Sequence, residues 1–121
     1  MKIACGTDII EIDRIKQSIE RLGEKFLEKI YTQSEIQYCE SHNINKYQHY
    51  AARFAVKEAL YKALSEILPE EDLTWKRFEV INSNNGKPKI IVEDKSIKSI
   101  DVSISHSKKY AVAMVTVLYE K

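Results

Sequence analysis

Ile3-Ala4-Cys5-Gly6-Thr7-Asp8-Ile9-Ile10 is an apolar, β-branched run with one carboxylate inside it. It reads as a short buried strand. From Glu11 the hydrophobic period changes: Ile12, Ile15, Ile19, Leu22 and Phe26 recur at helical spacing, so a helix follows almost directly, with Gly23 placed to break it in two. Further on, Thr32-Gln33-Ser34-Glu35 has the spacing of a capping box and opens a short third helix through Ile36, Tyr38 and Cys39. Residues 41–46 are polar and read as a loop. Residues 47–68 give the longest helix, with Ala51, Ala52, Ala55, Ala59 and Ala63 among strong helix formers and Pro69 as its stop.

The second half turns to strands. Residues 78–81 and 89–92 form two of them, joined by Asn82-Ser83-Asn84-Asn85-Gly86-Lys87-Pro88, whose Asn-Gly pair suits positive φ and a chain reversal. Ile100, Val102 and Ile104 alternate with Asp101, Ser103 and Ser105, the pattern of a half-buried strand. Ser107-Lys108-Lys109 turns that strand into residues 110–119, apolar on both faces. Strand, helices, then strands means α+β, a mainly antiparallel β-sheet packed against a long α-helix and shorter helices.

With 121 residues the chain is expected to be one domain, 1–121. Its 44% hydrophobic and 31% charged residues fit a soluble globular protein, and a net charge of +1 gives no general attraction to nucleic acid or membrane. No apolar stretch is long enough for a bilayer and no signal peptide is evident, so a cytoplasmic location is expected. Cys5 and Cys39 make no disulfide framework and read as reduced core thiols.

Three places hold chemistry. Asp8 is costly to bury unless a cation or several donors satisfy it, although an Asp at a strand end also caps helices. In Arg53-Phe54-Ala55-Val56-Lys57-Glu58-Ala59-Leu60-Tyr61-Lys62, Glu58 and Lys62 share one helix face, as do Arg53 and Lys57; an ordinary surface ion pair is the plain alternative. In Ser103-Ile104-Ser105-His106-Ser107, His106 ends a strand, where sites collect, and a neutral core histidine is the plain alternative. No His and Cys spacing suggests zinc, and Gly6 stands apart from any phosphate-binding loop.

Taken together, Gly6-Thr7-Asp8-Ile9-Ile10-Glu11-Ile12, Phe54-Ala55-Val56-Lys57-Glu58-Ala59 with Lys62, and Ser103-Ile104-Ser105-His106-Ser107 with Tyr110-Ala111 closely resemble holo-acyl carrier protein synthase. This is the short bacterial class of 4′-phosphopantetheinyl transferases. The likeness runs over nearly the whole chain, motifs in order. It implies Mg2+-dependent transfer of 4′-phosphopantetheine from coenzyme A to a serine of apo-acyl carrier protein. Adenosine 3′,5′-bisphosphate is released, and the holo-carrier serves fatty acid biosynthesis. Asp8 and Glu58 match the family's metal ligands, and Lys62 matches a lysine beside the reacting phosphate. His106 matches a histidine that holds the coenzyme A nucleotide. The resemblance also makes Arg53 a phosphate contact and puts the turn of Asn84, Gly86, Lys87 and Pro88 near the adenine. Members of this size are homotrimers with sites between subunits. Longer fused relatives have a third acidic ligand where this chain has Ile10, a place that water would take.

The chemistry suits the residues. Magnesium takes one or two carboxylates and leaves its other positions to water and phosphates. Glu58, directly or through a metal-bound water, is the candidate base for the serine, and Lys62 can stabilise charge growing on the phosphate. Carrier proteins of this kind are acidic. At about 100° per residue, Arg14, Ser18, Arg21 and Lys25 form a basic stripe beside the apolar one, a face for docking the carrier or simply a solvated one. Two rival readings are a trimeric binding module that has lost transfer and a small magnesium-dependent nucleotide hydrolase. The intact set of Asp8, Glu58, Lys62 and His106 speaks against the first.

Overall fold

Gly6 explains how the longest helix reaches the sheet. A Cβ at this position would lie 1.9 Å from the Ala59 carbonyl oxygen, so only glycine lets the two backbones come this close. The computed structural model describes all residues, Met1–Lys121. Strand β1 (Lys2–Glu11) runs without a linker into helix α1 (Ile12–Leu22), and Gly23, at φ 61°, separates α1 from α2 (Glu24–Ile30). Helix α3 (Gln33–Ser41) opens on the expected capping box: Thr32 Oγ1 accepts the Glu35 N–H, and Glu35 accepts the Thr32 N–H.

The long helix α4 spans Lys46–Leu64, shorter than the 47–68 expected at its end. Leu68 precedes Pro69, which disfavours helical backbone at the residue before it. The chain therefore leaves the helix in a turn that bonds Ile67 and Leu68 back to the Leu64 carbonyl and buries both side chains. Ala51, Ala55, Ala59 and Ala63 recur every fourth residue on the covered face of α4, all at most 2% exposed. Small side chains there allow close seating. Leu60 and Leu64 beside them are fully buried, each contributing roughly 1.5–3 kcal/mol of transfer free energy.

Strands β2 (Glu79–Asn82) and β3 (Pro88–Ile91) form an antiparallel pair, each shifted by one residue from its expected place. Their turn closes through the Ser83 N–H to the Lys87 carbonyl and the Gly86 N–H to the Ser83 carbonyl. Of the Asn-Gly pair only Gly86 has positive φ, 83°. Strands β4 (Ile97–His106) and β5 (Tyr110–Tyr119) join β1 in a three-stranded antiparallel sheet of order β1-β5-β4. The α+β class read from the sequence stands.

Two expectations change. β1 is an edge strand, not a buried one: it pairs with β5 alone, and only one of its faces lies under α4. Its other face leaves Ile3 and Ile9 more than 60% exposed. Cys5 shares that bare face and is exposed, so of the two free thiols only Cys39 is a core residue. β5 is indeed apolar on both sides, yet only Ala111, Ala113, Val115, Val117 and Tyr119 are covered. One core lies between α4 and the sheet; the other gathers α1, α2 and α3 around Tyr31, Cys39 and Tyr50.

Candidate active site

Asp8 sits on the covered face of β1, two residues beyond Gly6, where α4 passes closest. It does not cap α1, whose N-cap is Glu11. Across from it, α4 presents Glu58 and, one turn later, Lys62. The Lys62 ammonium donates to the Thr7 carbonyl at 2.9 Å and stands 3.5 Å from Asp8 Oδ1. Lys62 therefore turns to β1, and no ion pair forms along the helix with Glu58. Its side chain is half exposed while that of Asp8 is largely covered, so this contact neutralises Asp8 only in part.

Glu58 carries the electrostatic mark of the arrangement. Burial, then repulsion from Asp8, push its carboxyl above the usual range, with Lys62 pulling the other way. Two carboxylates thus face one site with too little positive charge between them. No third carboxylate, histidine or cysteine joins them. A pair of hard oxygen donors with room for water and phosphate is what a magnesium ion uses, and it does not suit zinc. An open groove runs from this pair along α1, lined by Asp8, Ile10, Arg14, Ser18, Phe54 and Glu58.

Arg14 and Ser18 also line a shallow depression on the outer side of α1 with Gln17, Glu20 and Arg21. The basic stripe and the carboxylate groove are therefore continuous. Lys25 needs correction: it lies on α2, beyond the break at Gly23, so the angular argument of one helix does not extend to it.

The remaining expected residues lie elsewhere on the chain. His106 is exposed at the end of β4, and its Nε2 is 2.8 Å from Gln48 Nε2, a contact an amide donor makes only while that ring nitrogen carries no proton. Gln48 is on the first turn of α4, and Glu58 is roughly 15 Å further along the same helix at 1.5 Å per residue. Arg53 is buried: its guanidinium lies 4.0 Å over the Tyr38 ring, donates to Asn82 Oδ1 and leaves Nε without a partner. Asn82 in turn donates to the Gly86 carbonyl, and Lys87 pairs with Asp101 on β4 at 3.3 Å. Asn84 and Gly86 are exposed at the turn and Pro88 opens β3.

The chain thus holds Asp8, Glu58 and Lys62 in one place, and Arg53, the 82–88 turn and His106 in others. Sequence reading missed Thr7, whose role is a backbone carbonyl, and Phe54, whose groove exists only once α1 meets α4; it placed Ser18 in the basic stripe but not in that groove. Gln48 was also missed. Nothing in its spacing marked it, since its link to His106 appears only in the fold.

A model of the 4′-phosphopantetheinyl transferase superfamily matches residues 4–115. The chain belongs to that superfamily. The transferase is 47% identical to the holo-[acyl-carrier-protein] synthase of Thermodesulfovibrio yellowstonii, over 93% of this chain and 95% of that one. It is 42% identical to the synthase of Ruminiclostridium cellulolyticum, over 97% and 92%. Among solved structures it is similar to the Helicobacter pylori synthase in complex with coenzyme A, with TM-score 0.83 and 33% identity, covering 94% of this chain and 99% of that one. The Bacillus anthracis synthase in complex with CoA (3′,5′-ADP) is similar too, with TM-score 0.78, 35% identity and 94% of each chain covered. No helix of the transferase is long and apolar enough to cross a membrane.

Proposed function

We propose that this transferase moves 4′-phosphopantetheine from coenzyme A to a serine of apo-acyl carrier protein. It would release adenosine 3′,5′-bisphosphate and supply holo-carrier to fatty acid biosynthesis in the cytoplasm. The observation that carries the reading is the half-neutralised Asp8–Glu58 pair, open to a groove that continues into the basic stripe of α1.

Asp8 and Glu58 would hold Mg2+, which when bound neutralises charge on the pyrophosphate of coenzyme A. Lys62, half exposed and tethered to the Thr7 carbonyl, orients its ammonium toward the phosphate being transferred. Arg14 and Arg21 attract the acidic carrier, and the groove brings its serine to the carboxylates. Glu58, kept basic by burial and by Asp8, is positioned to take the serine proton.

His106, Arg53 and the 82–88 turn would serve the coenzyme A nucleotide. The distance of His106 from Glu58, set by its contact with Gln48 near the start of α4, supports a homotrimer in which a neighbour supplies the histidine. The bare face of the three-stranded sheet, with Ile3, Ile9 and Met114 more than half exposed, is the apolar surface such an assembly would cover.

The test is to incubate the protein with coenzyme A, Mg2+ and apo-carrier and weigh the carrier. It should gain the mass of one phosphopantetheine, and a chelator should stop the reaction. Asp8→Ala and Glu58→Ala should each lower the rate by about two orders of magnitude or more, as loss of a charge-stabilising group does. An unmodified carrier would leave a binding module; free nucleotide without carrier modification would leave a hydrolase.

A further inference from the structure

Lys57 stands one position before Glu58 on the buried side of α4. Its ammonium has three protons, and each has an acceptor: Glu35 Oε1 at 2.9 Å, the Trp75 carbonyl at 2.6 Å and the Phe78 carbonyl at 2.9 Å. Glu35 is equally engaged, accepting the Thr32 N–H at 2.7 Å and the Val80 N–H at 2.8 Å. The two side chains are 2% and 0% exposed.

A buried ion pair is a poor source of stability, because apolar residues of the same volume often do as well. What this one supplies is a fixed attachment. The two carbonyls belong to residues 75–78, a segment in neither helix nor strand. That segment is one wall of a cavity of about 200 Å3 lined by Lys57, Glu58, Tyr61, Leu73, Trp75 and Phe78. Trp75 is stacked on Phe54 at 5.2 Å, which holds the ring while Lys57 holds the backbone. Glu58 is common to this cavity and to the groove along α1, so the two meet at that residue.

We propose that Lys57, clamped by Glu35, is a positioning residue that hangs residues 75–78 from α4 and so builds the coenzyme A side of the site next to Glu58. This rests on the transferase reading above. The carrier approaches through Arg14 and Ser18 on the α1 side, which leaves the Trp75 side to the donor. Lys57 touches neither substrate; it acts through the wall that it supports.

Trp75 is the sole tryptophan, so its fluorescence reports on that wall directly. The full-length chain is compared with Lys57→Met, Glu35→Gln and the double variant, which leaves no lone buried charge. In the double variant, far-UV circular dichroism and a cooperative melt should persist. Trp75 emission should shift to the red, and acrylamide should quench it more strongly. The KM for coenzyme A should rise about tenfold, as small misplacements at a site do, with the KM for carrier unchanged.

Folded variants with native Trp75 emission and native KM for coenzyme A would overturn the proposal. So would an equal loss for both substrates, or failure of all three variants to fold, which would make the pair a pillar of the fold. If the unsubstituted chain transfers nothing, the transferase reading fails by itself, and Trp75 emission and quenching still decide whether Lys57 holds the wall.

Discussion

His49 lies where the chain's three histidines gather. Its ring is 4.2 Å from that of His42 and 5.3 Å from that of Tyr38, and Arg53, one helical turn further along α4, lies 4.0 Å over the same Tyr38 ring. Burial first, then the charges of His42, Arg53 and His106, lower its pKa from 6.5 to about 4. The folded chain therefore resists a proton that the unfolded chain accepts. Stability falls as pH drops through 6.5 and goes on falling until about 4, where the folded ring also titrates. Melting temperature followed from pH 7 to pH 4 should fall less steeply for His49→Gln than for the unsubstituted chain. Equal slopes would mean that the ring is already solvated in the fold. None of this was legible in the sequence, where His42, His49 and His106 are separate residues on two helix ends and a strand. Asp8 was legible for the opposite reason: a carboxylate in a β-branched run has no local explanation except a cap, and Glu11 takes that role. Glu35 hid behind a local explanation that was true but incomplete. It closes the capping box with one oxygen and reaches Lys57 and Val80 as well.

At the scale of elements, α1 sets an anchoring face beside a basic one. Ile15 and Ile19 anchor it in the second core, while Arg14, Ser18 and Arg21 face outward beside the groove that leads to Asp8. The apolar period that identified the helix also fixed which way the basic residues point, so this surface was readable before any packing was known. Its length was not. Gly23 ends the helix, and Lys25 belongs to the next one. Arg14→Glu with Arg21→Glu should raise the KM for carrier about tenfold or more at low salt and leave the KM for coenzyme A unchanged. The effect should shrink as ionic strength passes ~0.1 M, where screening reaches about 10 Å. Equal damage to both substrates would mean that the helix has come off the core. The edge position of β1 was hidden for a related reason. An apolar run shows that a strand avoids water on some face, not whether its own chain or another one covers it.

The whole molecule raises that question most sharply, because its sheet has one face under α4 and the other bare, and its candidate site residues lie in more than one place. Asp8, Glu58 and Lys62 meet where β1 crosses α4, whereas His106 is tied to Gln48 near the other end of the same helix. Either His106 has no part in transfer, or it serves the site of another copy. The sequence alone could not separate these, since spacing along a chain says nothing about which copy a residue faces. Mixing two defective chains does. Asp8→Ala keeps His106 and His106→Ala keeps the Asp8–Glu58 pair, so each alone should be nearly inactive. Refolded together, random assembly would pair an intact acid site with an intact histidine at about a quarter of the interfaces of a cyclic oligomer. Activity should return to a comparable fraction of the unsubstituted protein, and only in species whose mass shows both chains present. Mixed oligomers as inactive as either parent would put His106 and the carboxylates to work within one subunit, against their separation along α4. Activity in His106→Ala alone would remove the histidine from the reaction, and with it the functional reason for the bare sheet face to meet a neighbour.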